Sequence, residues 1–482
     1  MHAVKTRANF TEGKIFLKLL WFVLPIMATN LLQTFYNAAD MMVVSLSSEA
    51  DAVGAVGVTG SFIHLIVNVF IGFSVGANVV VARHIGANDE KGTQRAIHNA
   101  LILAVFFGVF GAIIGAAISY PVMIFMGAQA NLLRLAVRYT YFYFAGVPFL
   151  ALTNYLMAIF RAKGDSKTPL IVLALAGLAN VGLNLIFVLW FGMSVEGVAL
   201  ATAIANFLSF IVLLIKLRKD GDFSFHRLKP NKKILLEIVR IGLPAAIQGA
   251  IISVSNVLIQ SSIVKVNNSL CPSNSDYQPI VSGCAAGSSL SAFVYTAQNA
   301  VYQASITLTA QNIGADKPKR VYRITGLCCL LNTLIGLPIG VAIFLLRVPL
   351  LGLYGVSVGE AGSLQALAFD AATTQLTFVC LPYFLCGIME IGSGVLRGMG
   401  KSTSSMVITL IGACLLRMIW LWTVFPLVPT LEIVYLSYTV TWITTSAALF
   451  TCVFIAIGRR VKAQKRKEEL VGETEELVEN RE

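Results

Sequence analysis

The sequence predicts an all-α integral membrane protein in which twelve transmembrane helices form two six-helix lobes related by an internal parallel repeat. Hydrophobic residues make up 57% of the 482 residues and charged residues only 12%, whereas a soluble domain carries about 25% charged residues. Apolar runs of about 18 or more residues recur along the chain, while the strands of a membrane barrel would alternate in polarity. Several motifs of the first half also return in the second half, which indicates a duplication.

The apolar segments divide the chain into four regions. A helix needs about 20 apolar residues to cross a bilayer, and we place twelve such spans at 15–40, 54–81, 96–118, 134–160, 169–190, 194–217, 234–264, 285–310, 321–346, 366–396, 406–427 and 432–457. The regions are therefore an N-terminal lobe (1–217), a basic cytoplasmic linker (218–233), a C-terminal lobe (234–458) and a charged cytoplasmic tail (459–482). The tail is predicted to be a solvated helix beside the headgroups.

The basic residues predict how the chain crosses the membrane. Of the 36 Lys and Arg residues, 31 lie in the N-terminus, the loops after even-numbered helices and the tail, or within a turn of them. The exceptions are Arg134, Arg138, Lys265 and Arg347 on the opposite side and Arg417 inside a helix. By the positive-inside rule, both termini are expected in the cytoplasm, with the protein in the plasma membrane. This distribution argues against a nucleic-acid partner despite the net charge of +12.

The two halves share landmarks in the same order and at similar spacing. The matched pairs are Leu24-Pro25 with Leu243-Pro244 (which also aligns Asn37 with Asn256), 82–95 with 310–323, and 161–168 with 397–404. Each half enters the membrane from the same side, so the repeats are parallel and are related by an axis along the membrane normal. Such an arrangement suits alternating access.

Helix 1 places a carboxylate inside an apolar segment. Asn30, Gln33, Asn37 and Asp40 follow intervals of three, four and three residues, so all four fall on one helix face. A charge in the bilayer is costly and usually faces a bundle interior or a watery cavity, which makes Asp40 a functional candidate. The alternative is an Asp that neighbouring helices satisfy and that has no task. Pro25 lies on the same helix and is expected to bend it.

Four motifs together resemble the multidrug and toxic compound extrusion (MATE) transporters over about residues 10–460. They are YNAAD at the end of helix 1, QNIGAD after helix 8, GIMEIGSGVLRGMGKS at helix 10 and GVALAT in helix 6. The resemblance implies a two-lobed, twelve-helix antiporter that exports small amphipathic, often cationic compounds. Inward flow of H⁺ or Na⁺ would drive it, with no other cofactor, and we expect it to act as a monomer in the bilayer, in a bacterial inner membrane.

The resemblance also implies a coupling site in the N-terminal lobe, formed by Asp40 with Asn180, Asn184 and Thr202. Many family members carry an Asp where this chain has Asn184, so the site here keeps one carboxylate. A lone Asp among amide and hydroxyl oxygens can carry a proton or hold Na⁺, and both ions stay open. The alternative for the two asparagines is hydrogen bonding between helices.

The substrate cavity is expected between the lobes. Helix 8 carries aromatic and amide residues at helical spacing, although ordinary helix packing explains such a face equally well. The cavity candidates are Gln33, Asn37, Asn256, Tyr295, Asn299 and Tyr302. Glu390 on helix 10 and Arg417 on helix 11 are both deep in apolar sequence, so we expect them to form a buried ion pair.

Other functions fit the sequence less well. It contains no nucleophile–base arrangement, no phosphate loop and no Cys/His pattern of a metal site, so an enzyme is not expected. The alternative within the same superfamily is a flippase for a lipid-linked oligosaccharide, whose pyrophosphate would need several cationic residues in the cavity. Cys271 and Cys284 flank a polar loop, and whether they form a disulfide stays open.

Overall fold

A computed structural model describes residues 9–47, 49, 52–125, 130–224, 228–271, 278–360 and 362–479. Within these residues, twelve helices are long and apolar enough to cross a membrane, so the predicted fold class is confirmed. The helices are α1 (Ile15–Val44), α2 (Ala52–Gly86), α3 (Glu90–Phe125), α4 (Ala130–Ala162), α5 (Lys167–Trp190), α6 (Val195–Lys219), α7 (Lys232–Leu270), α8 (Pro279–Gly314), α9 (Pro318–Leu345), α10 (Leu364–Gly398), α11 (Ser402–Thr423) and α12 (Leu431–Glu479). A short helix, Arg347–Gly352, follows α9.

Most helices extend beyond the predicted apolar spans. α3 begins at Glu90, six residues before the predicted start, and α12 continues through the tail to Glu479. Hydropathy detects only the part of a helix that lies in lipid, whereas backbone hydrogen bonding continues into the polar turns. α10 is interrupted by a π-helical turn at Leu376–Cys380, directly before Pro382. A proline lacks the N–H group that a regular helix needs, which explains an irregular turn at this point.

The duplication is visible in the backbone. Asn88 and Asp316 occupy the same position in the matched loops 82–95 and 310–323, and they are the two described non-glycine residues with positive φ, at 54° and 52°. Gly164 and Gly400 likewise occupy the same position in the matched loops that follow α4 and α10, and their φ angles are 75° and 79°. Equivalent turns in the two halves therefore use the same left-handed residue to end a helix.

The two halves also contact each other symmetrically at these turns. A Cβ on Gly86 would overlap the main chain of Gln311, and a Cβ on Gly314 would overlap the main chain of Arg83. These two contacts are equivalent, because Arg83 aligns with Gln311 and Gly86 aligns with Gly314 in the matched loops. The pseudo-twofold axis therefore passes between the ends of α2 and α8.

The first described residues and the C-terminal part of α12 lie at this same end of the molecule. Arg320, at the start of α9, donates a hydrogen bond to the carbonyl oxygen of Gly13 (3.2 Å). Tyr322 stacks on Phe454 of α12, with 6.0 Å between ring centroids. We call this end of the molecule the terminus-bearing end.

The lobes are packed tightly at the terminus-bearing end. Gly72 and Gly76 of α2 lie so close to α7 that a Cβ would overlap backbone atoms of Ala246 and Ile238. The side chain of Arg83 on α2 forms an ion pair with Glu237 on α7 at 2.6 Å. Glycine permits this approach because it has no side chain, so the backbones of the two helices can come into direct contact.

The lobes are separated at the opposite end. At about 100° per residue, Gly57 and His64 lie within about 80° of Gly72 on the surface of α2, and Gly60 lies beside them. Among the described residues, no atom outside α2 lies within 4 Å of a Cβ built on Gly57 or Gly60, and His64 is exposed. A cleft between the lobes is thus closed at the terminus-bearing end and open at the other.

α1 contacts both lobes. The Tyr36 hydroxyl donates to the carbonyl oxygen of Ala174 on α5 (3.1 Å), and the Asn30 amide donates to the carbonyl oxygen of Thr296 on α8 (3.3 Å). The segment before α1 is bound to the C-terminal lobe, since Phe10 is 2% exposed and its N–H donates to Gln311 Oε1 (3.2 Å). A movement of α1 therefore affects both sides of the cleft.

Candidate functional site

The four residues predicted around Asp40 meet at one point between α1, α5 and α6. Asn184 Nδ2 donates to Asp40 Oδ1 at 2.6 Å, and Thr202 Oγ1 lies 3.5 Å from Asp40 Oδ2. In the amide orientation that satisfies its neighbours, Asn180 donates to Asp40 Oδ1 (2.9 Å) and accepts from the Thr202 N–H (3.3 Å). The structure thus brings this predicted set together.

One hydrogen-bond acceptor of the site has no donor. Asn184 is fully buried, and among the described residues no group donates a hydrogen bond to its Oδ1 atom. A buried acceptor without a donor costs about 1–3 kcal/mol, so it favours a species that brings a positive charge or a proton. Carboxylate, amide and hydroxyl oxygens are ligands that suit a hard cation such as Na⁺, and the same group suits a protonated carboxyl.

Gln33 and Asn37 face the cleft. Both are exposed, and at about 100° per residue they lie within about 60° of Asp40 on the helix surface. Exposed apolar residues of α1, among them Leu17, Leu24 and Met42, lie on the opposite side, where lipid is expected. The polar face therefore lies between the α1 contact with α5 and its contact with α8.

The C-terminal lobe contributes part of the predicted cavity. Asn256 on α7 is exposed, and Tyr295 on α8 is 40% exposed. Asn299 is half-buried, and its Oδ1 accepts a hydrogen bond from Gln303 Nε2 (2.6 Å). Three of the α8 and α7 candidates thus have surface that can meet a ligand.

Tyr302 is buried and does not line the cleft in this structure, which corrects its place among the cavity residues. Its hydroxyl accepts a hydrogen bond from the Arg397 guanidinium, whose Nη2 also donates to Gln248 Oε1 (2.8 Å). Arg397 is 5% exposed and was missed because it stands at the start of a loop motif. The available signal was its position seven residues after Glu390, which puts it on the same face of one long helix.

The predicted ion pair between Glu390 and Arg417 is wrong. The Arg417 guanidinium lies over the Tyr438 ring, 3.9 Å from its centroid, and donates to Thr441 Oγ1 (3.1 Å). Glu390 precedes Gly394 by four residues, and Gly394 packs against α8 at Tyr302. Glu390 has no ion pair among the described residues, and an aromatic face in α12 offsets the buried Arg417 cation instead.

Cys271 and Cys284 are free thiols in the structure. Cys271 is the residue that caps α7, and Cys284 lies inside α8, so the two stand in separate elements. Both are buried among apolar side chains, as small core residues are.

The chain matches the family model MatE over residues 25–186 and 251–423, one stretch in each lobe. Among curated proteins, it is 26% identical to the probable multidrug resistance protein YoeA of Bacillus subtilis, covering 79% of this chain and 80% of that protein. It is 24% identical to the probable multidrug resistance protein NorM of Thermotoga maritima, covering 82% of each.

Solved structures share the fold. A structure described as the outward-facing conformation of a multidrug resistance MATE family transporter of the MOP superfamily superposes with a TM-score of 0.83 and 20% identity, covering 94% of this chain and 98% of that one. A structure described as MATE in the straight conformation has the same TM-score at 19% identity. With both lobes matched by the family model, the chain belongs to the MatE family of multi-pass membrane transporters, and it is not an enzyme.

Proposed function

We propose that this protein is an antiporter that exports small amphipathic, often cationic compounds in exchange for inward movement of H⁺ or Na⁺. The observation that carries the proposal is the site at Asp40, a carboxylate between α1, α5 and α6 beside the unpaired oxygen of Asn184. The relatives named as multidrug resistance proteins support the substrate class. The antiporter acts as a monomer and needs no cofactor besides the coupling ion.

The described arrangement corresponds to an outward-open state. The lobes touch at the terminus-bearing end and separate at the other, and the distribution of basic residues favours a cytoplasmic location for both termini. Export then proceeds when the lobes rock about the pseudo-twofold axis and expose the cleft alternately to each side.

Coupling arises because Asp40 binds the ion and also determines whether the N-terminal side of the cleft is open or closed. With a bound H⁺ or Na⁺, the neutralised carboxylate lets α1 pack against α5 and α6, which closes the N-terminal side of the cleft and displaces substrate. A bare carboxylate must stay hydrated, which keeps that side open. One ligand shifts such an equilibrium only by its differential affinity for the two states.

The flippase alternative is less consistent with the cationic residues of the C-terminal lobe. A pyrophosphate headgroup requires free cationic side chains in the cavity. Arg417 is engaged with Tyr438 and Thr441, and Arg397 with Tyr302 and Gln248. Both arginines are buried, each with 5% of its surface exposed.

Dye efflux from proteoliposomes under an imposed pH gradient or an imposed Na⁺ gradient tests the proposal. The wild-type protein should export dye under at least one gradient, and the effective gradient identifies the ion. Asp40→Asn should incorporate normally but lose gradient-driven export. Asp370→Asn is the matched control, because this exposed carboxylate on α10 has no hydrogen bond or ion pair in the described structure. Full export by Asp40→Asn under the same gradient would refute the coupling role.

A further inference from the structure

We propose that the protein binds a phosphate group, from a lipid headgroup or a soluble phosphate compound, in a second site at the terminus-bearing end. The site is a cleft of about 500 Å³ between the start of α3 and the linker that leads into α7. Lys91 and Arg95 line it from α3, and Lys229 lines it from the linker. The proposal does not depend on the transport mechanism, since the cleft is separate from the Asp40 site.

The cleft is built by specific contacts between the linker and α3. His98 is 3% exposed, and its Nε2 lies 3.0 Å from the carbonyl oxygen of Ser224. Asn99 is fully buried, and its Oδ1 accepts a hydrogen bond from the Asn231 N–H (2.7 Å). The linker is therefore held on α3 on both sides of Lys229, and the cationic groups are positioned before any ligand arrives.

The cleft carries three exposed cationic side chains without ion-pair partners in the described structure. Lys91, Arg95 and Lys229 are exposed, and none of them has an ion pair among the described residues. The described lining residues include no carboxylate. An anion that enters the cleft would therefore meet three cationic side chains without displacing an acidic partner.

The carboxylates that precede Lys91 in the sequence serve another part of the surface. Asp89 and Glu90 both border a different cleft. Asp89 accepts a hydrogen bond from the Gly92 N–H (2.8 Å), which is the main reason why the pKa of Asp89 lies below its ordinary value. Arg95 makes only the weakest contribution to that lowered pKa, and it forms no ion pair with Asp89 in the described structure. Its guanidinium is therefore available to a ligand.

The position of the cleft suits a phosphate at the membrane surface. Lys91 and Arg95 stand in the first two turns of α3, and the apolar run of this helix starts directly after them at Ala96. They should therefore lie at headgroup depth, where basic pockets beside transmembrane helices bind anionic headgroups. Lysine and arginine are the usual phosphate-binding side chains.

Native mass spectrometry of the detergent-solubilised protein with phosphatidylglycerol, phosphatidylcholine or inorganic phosphate tests this site. Each basic residue near an anionic surface contributes about fivefold in affinity, so neutralising all three should weaken binding on the order of a hundredfold. We expect the triple variant Lys91→Gln/Arg95→Gln/Lys229→Gln to lose phosphatidylglycerol binding. The charge-preserving variant Lys91→Arg/Arg95→Lys/Lys229→Arg should retain it.

The matched control removes three cationic residues from the tail at the same end of the molecule: Lys462→Gln/Lys465→Gln/Arg466→Gln. This variant should bind phosphatidylglycerol like the wild type. Inorganic phosphate that binds the wild type but not the triple variant, without phosphatidylglycerol binding, would support a soluble ligand. Equal losses of binding in the tail and cleft variants, or no loss in the cleft variant, would overturn the proposal. A wild type that binds neither phosphatidylglycerol nor inorganic phosphate would also overturn it.

Discussion

At the scale of single residues, the proposed coupling site could be predicted because its chemistry is rare in an apolar helix. Asp40 is conspicuous in the sequence, and the family resemblance identified Asn180, Asn184 and Thr202 before their contacts were known. The unpaired oxygen of Asn184 could not be predicted, because amide orientation depends on three helices at once. In the proposed mechanism, that oxygen is a second ligand for the ion beside the one carboxylate.

A second carboxylate at position 184 tests this interpretation. Asn184→Asp places a like charge beside Asp40, which makes protons harder to remove from the pair. We expect the pH midpoint of dye efflux in a proton-coupled assay to rise by about one unit, or Na⁺ affinity to increase in a Na⁺-coupled assay. Ser269→Asp adds a carboxylate at the exposed end of α7, outside the cavity candidates, and should leave both quantities unchanged. Equal shifts in the two variants would contradict a specific role for Asn184.

Arg417 shows why the sequence could identify a buried charge but not its partner. A buried charge is energetically costly, so the sequence indicated that Arg417 needs a partner, and Glu390 was the other charge in neighbouring helices. In the structure, the face of the Tyr438 ring is that partner. A double-mutant cycle on thermal unfolding in detergent should give a coupling of about 0.5–2 kcal/mol for Arg417→Gln with Tyr438→Leu. The cycle of Arg417→Gln with Glu390→Gln should give a coupling near zero. A larger coupling to Glu390 than to Tyr438 would argue for the ion pair.

At the scale of elements, the helices follow from hydropathy, but the contacts between lobes do not. The sequence contains many glycines, and only the structure shows that Gly72 and Gly76 permit α2 to touch the α7 backbone while Gly57 and Gly60 face open space. Along one helix, glycine therefore marks a close contact at one end and an open surface at the other. That difference reflects the conformational state of the cleft, which periodicity cannot reveal.

Gly76→Ala should open the terminus-bearing end. The added methyl group overlaps the Ile238 carbonyl oxygen, so the closed contact of α2 with α7 becomes unfavourable. We expect faster thiol labelling from that side at Thr307→Cys, a fully buried position, in a background without native cysteines. Gly60→Ala is the matched control, since it has room for a methyl group. Unchanged labelling in Gly76→Ala would show that this contact does not hold the end closed.

At the scale of the whole molecule, the duplication was predicted from three short motifs and is confirmed by backbone geometry. The matched left-handed residues Asn88 and Asp316 show why the motifs persisted, since both turns need the same conformation. The pseudo-twofold packing of Gly86 and Gly314 could not be read from the sequence, because it depends on how two distant turns meet.

The orientation of the molecule is a prediction from the basic residues. An impermeant thiol reagent added to intact cells should label Ser269→Cys, an exposed residue at the end of α7, in a background without native cysteines. Leu228→Cys in the linker should react only after permeabilisation, because the positive-inside rule puts the linker in the cytoplasm. The reverse pattern of labelling would invert the topology and, with it, the direction of transport.

The coupling claim is tested most directly by substrate affinity as a function of coupling-ion concentration in the purified protein. Linkage requires that an ion that displaces substrate through Asp40 lowers substrate affinity by the same factor as substrate lowers ion affinity. We predict that substrate affinity of the wild type falls as H⁺ or Na⁺ rises, and that substrate affinity of Asp40→Asn is independent of either ion. An unchanged ion dependence in Asp40→Asn would contradict the account, because the coupling carboxylate would then lie elsewhere.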